Sequence, residues 1–229
     1  MLLTADELEA LWLSAKVAST ATVASLPAGI GLAWLMARRE FPGKFLLEVL
    51  IQLPMVLPPV VPGYVLLLLF GTHGPLGSPL LRYFGLTLAF NWKGAVLAAA
   101  VMAFPLMVQP MRIAFRLIDR RLERAAHTLG ATPWDAFLSI SLPLAAPGII
   151  AGALLCFSRG LGEFGATMAF VGNIPGVTRT LPLAIYSFTH LPDGEAAAGR
   201  LALVSVALAV AALLLAQLLN RRAERLLTR

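Results

Sequence analysis

The sequence predicts an all-α polytopic membrane protein that crosses the bilayer about five times, and three observations carry that prediction. Of 229 residues, 59% are hydrophobic and 13% charged, against roughly 45–50% and about 25% in soluble domains. The mean hydropathy is +0.81, so a water-soluble globule of this length would lack the charged groups its surface needs. The apolar residues gather in five blocks, each close to the roughly 20 residues of a spanning helix. Little is left for an extramembrane domain, and residues 1–229 read as a single transmembrane domain.

The first span covers about 11–37. Asp6, Glu7 and Glu9 precede it, the reverse of a basic signal-peptide start, so the segment is expected to be retained. Pro27, with Gly29 and Gly31, is expected to kink it, and Lys16 lies near enough to one end to reach the interface. The second span, 46–70, is interrupted by Pro54, Pro58, Pro59 and Pro62 and reads as two helical pieces around a broken middle. The third covers about 94–113, bent near its end by Pro105 and Pro110; the fourth covers about 147–170 and the last 201–219. Between these last two, the apolar stretch Leu181 to Phe188 is too short to cross and reads as re-entrant or interfacial.

Basic residues set the orientation. Arg38, Arg39 and Lys44 follow the first span; Arg112, Arg116, Arg120, Arg121 and Arg124 follow the third; Arg221, Arg222, Arg225 and Arg229 form the tail. Twelve of the 18 Lys and Arg thus share one side, which the positive-inside bias makes cytoplasmic. The N-terminus is then outside, with the 71–93 and 171–200 loops, and the C-terminus inside. The net charge of +6 reads as this bias, because nucleic-acid binding needs a clustered basic face. Cys156 is the single cysteine, and His73, His127 and His190 share no ligand spacing, so no metal site is expected.

The longest cytoplasmic stretch, with its structured part at 119–143, is more than a connector. Leu122 to Gly130 reads as a helix stopped by glycine. Thr132 then offers an N-cap, Pro133 suits the first helical position, and Asp135 can return a bond to the cap. Trp134, Phe137, Leu138 and Ser141 make a mostly apolar stripe, and Pro143 is expected to end the element. Periodicity alone describes an amphipathic elbow on the lipid headgroups; Ala125 and Ala126 would equally let another backbone approach.

Ala125-Ala126, Gly130, Ile140, Leu142 and Pro143 stand at the offsets of the cytoplasmic signature of bacterial ABC importer permeases, which this chain resembles. The family's glutamate directly precedes the alanines; here Arg124 takes that place and the acid is Glu123. Four further runs, Phe41–Lys44, Leu53–Pro59, Gly162–Thr167 and Asn173–Pro182, are similar to the permease subunits of molybdate ABC transporters. Sulfate permeases share Gly-Glu-Phe-Gly and Asn-Ile-Pro, and Thr178 to Thr180 inclines the reading to molybdate, with a sulfate or tungstate permease as the alternative. The resemblance implies a type I importer permease fold in a bacterial inner membrane and a homodimer lining an oxyanion path. It further implies two ATPase subunits holding ATP and Mg, an external binding protein, and rigid-body alternating access.

The chain itself is expected to be non-catalytic and to bind no cofactor. It contains no phosphate-binding loop, since Gly43-Lys44 is followed by Phe45. Arg159 and Glu163, both inside the fourth span at i, i+4, read first as a neutralising ion pair near Gly160, Gly162 and Gly165, and otherwise as a guanidinium facing the pathway. Pro54, Pro58 and Pro59 either mark half-helix ends that receive an anion or only kink a lipid-packed helix. Gln52 and Asn91 read as ordinary polar contacts, His127 as a surface contact and Cys156 as core filler. The 173–182 turn reads as a docking surface or a plain connector. A channel or secondary carrier needing no ATPase is the reading from another class. An intramembrane enzyme would need catalytic pairs that the spans lack.

Overall fold

The computed structural model describes the backbone of residues 3–227 and, beyond residue 212, the side chains of 214 and 218 only. Of the basic tail, Arg229 lies outside the described residues, as do the side chains of Arg221, Arg222 and Arg225. All regular structure among the described residues is helical.

α1 (Ala5–Arg38) begins at a capping box: the Thr4 hydroxyl accepts from the Glu7 N–H, and the Glu7 carboxylate accepts from the Thr4 N–H at 2.8 Å. Pro27 lies within α1 and does not end it. Ala10, Ser14, Ala18, Ala21, Ser25, Gly29 and Ala33 form its buried stripe, and such small side chains let helices approach closely. α2 (Lys44–Val56) and α3 (Val60–Phe70) meet at 112°. The reason is local: Pro58 and Pro59 remove successive N–H donors at the break, while Pro62 is tolerated in the first turn of α3.

α4 (Gly77–Phe84) is a short helix inside the segment read as the 71–93 loop, stopped by Gly85 at φ 62°. α5 (Trp92–Leu117) starts at Asn91, whose side chain accepts from the Lys93 N–H at 3.1 Å, and holds Pro105 and Pro110 internally. α6 (Arg120–Thr128) and α7 (Pro133–Ala136) form the elbow, followed by a π-helical turn at Phe137–Ser141 and α8 (Leu142–Leu144). Next come α9 (Ala146–Leu161), α10 (Gly165–Val171), α11 (Leu181–Thr189) and α12 (Glu195–Leu227).

One expectation changes. The fourth span is not one helix through 147–170: it breaks at Gly162–Phe164, where glycine and the buried Glu163 carboxylate give the chain an alternative to continuing the helical bonds. Pro143 stands one residue before the end of its element, as expected: the helical run Pro133–Leu144 stops at Ala145 and the chain bends by 68° into α9. α1, α5 and α12 are each long and apolar enough to cross a membrane, and the two bent pairs raise the number to as many as five.

α1, α5 and α9 pack mutually against one another, with α5 the most deeply enclosed of the three. Glycines set the α5–α9 contact: a Cβ on Gly152 would lie 2.4 Å from the Met107 carbonyl oxygen, and one on Gly148 2.7 Å from that of Pro110. One buried cluster, with Leu13, Met102 and Phe170, occupies the end near the α1 N-terminus. A second, with Met36, Met111, Phe115 and Cys156, occupies the basic end, and a third joins Ala10 of α1 to Leu181 and Ala184 of α11 and Leu201 of α12.

Candidate functional site

The two breaks meet. Gly165, opening α10, would place a Cβ 2.7 Å from the Pro59 Cβ, and Gly63 on α3 would place one 2.5 Å from the Ala166 carbonyl oxygen. α3 and α10 are therefore in backbone contact just beyond their respective interruptions. Pro58 and Pro59 are exposed on the chain and Pro54 is half-buried.

Glu163 lies beside this junction, 2% exposed. Its Oε1 accepts from the Ala166 N–H at 2.9 Å, capping the first turn of α10, and its Oε2 is 2.6 Å from Arg159 Nη1. The i, i+4 geometry read from sequence is an ion pair in the structure. Its carboxylate is enclosed, whereas the guanidinium side chain is about a third exposed. Arg159 is thus the group through which the junction can present positive charge, and Glu163 already shares that charge. The same carboxylate fills the N-terminus of α10, so an anion would find that half-helix end occupied.

The elbow is built by three devices. Asp119 caps α6 by accepting from the Arg121 N–H at 2.8 Å. Gly130, at φ 90°, reverses the chain after α6. Thr132 and Asp135 form the expected capping box, with the Thr132 hydroxyl 2.5 Å from the carboxylate. Hydrogen bonds from the Thr132 hydroxyl and then its N–H hold the Asp135 carboxyl below the ordinary carboxylate value. That cap is complete above the ordinary pKa and is lost only as the pH falls through the lowered one.

Glu123 has a role the sequence did not disclose. Its Oε1 accepts from Arg38 Nη2 at 2.8 Å and from Ser141 Oγ at 2.5 Å, joining α6 to the last turn of α1 and to the π-helical turn. Arg38 is 6% exposed in its side chain and also donates to the Ile118 carbonyl. Glu123→Ala should lower stability by about 3 kcal/mol, since it strands a buried guanidinium. Glu123→Gln, which keeps an acceptor, should cost less; denaturant titration in detergent measures both. Around this clamp Ala125, Gly130 and Pro143 are exposed, while Ala126, Ile140 and Leu142 are half-buried. Leu129 and Trp134 are also exposed, giving the elbow an outward apolar surface.

His127 Nδ1 lies 3.0 Å from the Ala131 carbonyl at the surface, Gln52 is exposed and Cys156 is buried. At the opposite end Glu7 is buried and pairs with Arg200 of α12 at 2.7 Å, tying α1 to the last helix. The 173–182 turn is held from within: Asn173 donates to Ser187 Oγ and accepts from Arg179 Nε, and Thr178 donates to the Gly172 carbonyl. Ile174 to Val177 alone stand exposed there. Among the described residues no cluster of His, Cys, Asp and Glu could hold a metal ion.

The model of a family described as binding-protein-dependent transport system inner membrane component matches residues 27–225. The molybdenum transport system permease protein ModB of Escherichia coli K12 is 54% identical over 221 residues, 96% of either chain. ModB of Haemophilus influenzae is 49% identical over 219 residues, again 96% of either chain. The sulfate transport system permease protein CysT of Escherichia coli K12 is 37% identical over 187 residues, 82% of this chain and 66% of that one. Among solved structures, a bacterial alginate ABC transporter in complex with an alginate pentasaccharide-bound periplasmic protein superposes with TM-score 0.74 at 16% identity, over 96% of this chain and 80% of that chain. An amino acid ABC transporter gives 0.63 at 20% identity, over 95% and 94%.

Proposed function

The chain belongs to the family of binding-protein-dependent transport system inner membrane components, and from that premise we propose that it is the permease subunit of an ATP-driven molybdate importer. The carrying observation is identity above one half to a molybdenum permease along almost the whole length, against 37% to a sulfate permease over a shorter match. The fold is that of type I ABC importer permeases.

On this reading the basic end faces the cytoplasm, the N-terminus lies outside and the protein resides in the inner membrane. The elbow is the seat of two ATPase subunits, which hold ATP and Mg and do the hydrolysis; this chain is non-catalytic and binds no cofactor. Glu123, Ala125, Ala126, Gly130, Ile140, Leu142 and Pro143 shape that seat. The outward apolar side chain of Leu129 supports it. A homodimer encloses the path: α2 has no buried residue in the single chain, and the junction of the two breaks, with Pro58 and Pro59 exposed, needs a facing wall. An external binding protein delivers the anion, and closing of the ATPase pair turns the cavity outward.

Mechanically, Glu123 matters most on this view. Because it fastens the elbow to α1 and to the turn leading into α9, displacement of the elbow moves both helices together. Arg159, half-offset by Glu163, would lower the cost of a passing dianion without trapping it.

Reconstitution of the chain with its cognate ATPase and binding protein tests the proposal: ATP-dependent uptake of molybdate, exceeding that of sulfate, is expected. Uptake without nucleotide by vesicles holding this chain alone would instead establish the carrier reading. Gly130→Val, which forces a β-branched residue to φ 90°, and Ala125→Leu should each abolish copurification of the ATPase. Membrane insertion should be unchanged, as protease protection of the spans would show.

A further inference from the structure

Two cavities adjoin at the basic end, between α1 and the elbow. One, of about 820 Å³, is walled by Leu26, Ile30, Trp34 and Leu35 of α1 and by Trp134 and Phe137 of the elbow. The other, of about 280 Å³, carries Arg38, Arg39, Arg120, Glu123 and His127. Trp34, Pro133 and Phe137 line both, so the apolar groove and the charged one are immediate neighbours.

We propose that this composite groove binds an anionic glycerophospholipid, with an acyl chain along α1 and the phosphate among Arg38, Arg39 and Arg120. Length supports this occupant. From Leu26 to Leu35 α1 rises about 13 Å, close to one leaflet's share, about 15 Å, of the hydrocarbon core. Charge supports it as well. Arg39 and Arg120 have no carboxylate partner among the described residues, and Glu123 offsets only Arg38, whose buried Nε has no acceptor there. The walls change from apolar to cationic at Trp34, and tryptophan at that level is the usual marker of the membrane interface.

The inference does not depend on what the permease carries. It is tested with the full chain in nanodiscs of mixed phosphatidylcholine and phosphatidylglycerol, released into native mass spectrometry. A single phosphatidylglycerol per chain should be retained in preference to phosphatidylcholine. R39Q/R120Q, which spares the Arg38–Glu123 clamp, should reduce that preference roughly thirtyfold, since each surface cation contributes about fivefold. Gly31→Leu should reduce retention of both lipids, because Gly31 lines the groove and a Cβ there stands in open space. Equal retention of the two lipids, or retention untouched by these variants, would overturn the proposal. So would displacement by soluble glycerol phosphate, which would make the polar cavity a free-anion site. Disulfide formation between two Gly31→Cys chains in the membrane would also overturn it, by placing a second copy over the groove. None of these outcomes bears on which anion is carried, so the molybdate reading stands or falls separately.

Discussion

Gly63→Val is expected to prevent accumulation of the folded protein. A Cβ at Gly63 would lie 2.5 Å from the Ala166 carbonyl oxygen and 2.8 Å from the Ala166 Cα. Both atoms are backbone, so no rotamer change relieves the clash and α10 itself must retreat. α10 has seven residues and is fixed at its start by the Glu163 cap, so its retreat would also uncover the Arg159–Glu163 pair. Overpacking of a close-packed interior costs about 1–3 kcal/mol, occasionally more, and the valine should reach the upper end. The monodisperse fraction in size-exclusion chromatography after detergent extraction measures it, with Gly63→Ala expected to fall between valine and wild type. Wild-type behaviour of the valine variant would show that α3 and α10 do not touch at this point.

The second large effect is at Arg159. Arg159→Ala leaves the Glu163 carboxylate buried with one N–H donor and no counter-ion, at a cost of about 3–5 kcal/mol. Arg159→Ala/Glu163→Gln removes both charges and keeps a carbonyl for the Ala166 N–H, so assembly should recover most of the way. Uptake then separates packing from transport. A pair that only holds helices together predicts molybdate uptake restored along with assembly, whereas a guanidinium facing the path predicts uptake still low in a well-assembled complex. Normal assembly and uptake by Arg159→Ala alone would remove Arg159 from the pathway.

What the sequence disclosed follows from the range of the interactions. The Thr132–Asp135 box, the Gly130 reversal and the i, i+4 partnership of Arg159 with Glu163 each involve residues no more than four apart along the chain, and each has the geometry its spacing implies. The proline break of the second span is equally local. Glu123 was recognisable as a member of a motif but not as a clamp, because Arg38 and Ser141 stand 85 and 18 residues away. The break at Gly162–Phe164 carries no proline, and its composition is apolar enough to read as one continuous span. The signal lay in Glu163, a carboxylate three residues before the N–H it caps, beside three glycines at 160, 162 and 165. α4 passed as loop because its eight residues are too few to show a period, although Ser78-Pro79 and the closing Gly85 mark its ends.

α1 has one consequence for the whole assembly. Its 34 residues rise about 51 Å, and even the apolar part, 11–37, measures about 40 Å, against a hydrocarbon core of about 30 Å. Such a rod must lean or overhang. It is riveted at both ends, by Glu7 to Arg200 and by Arg38 to Glu123, so its inclination is dictated by protein rather than by acyl length. In a thinner or thicker bilayer the lipids must adjust to the strut, and the membrane bordering α1 takes up the mismatch as local deformation.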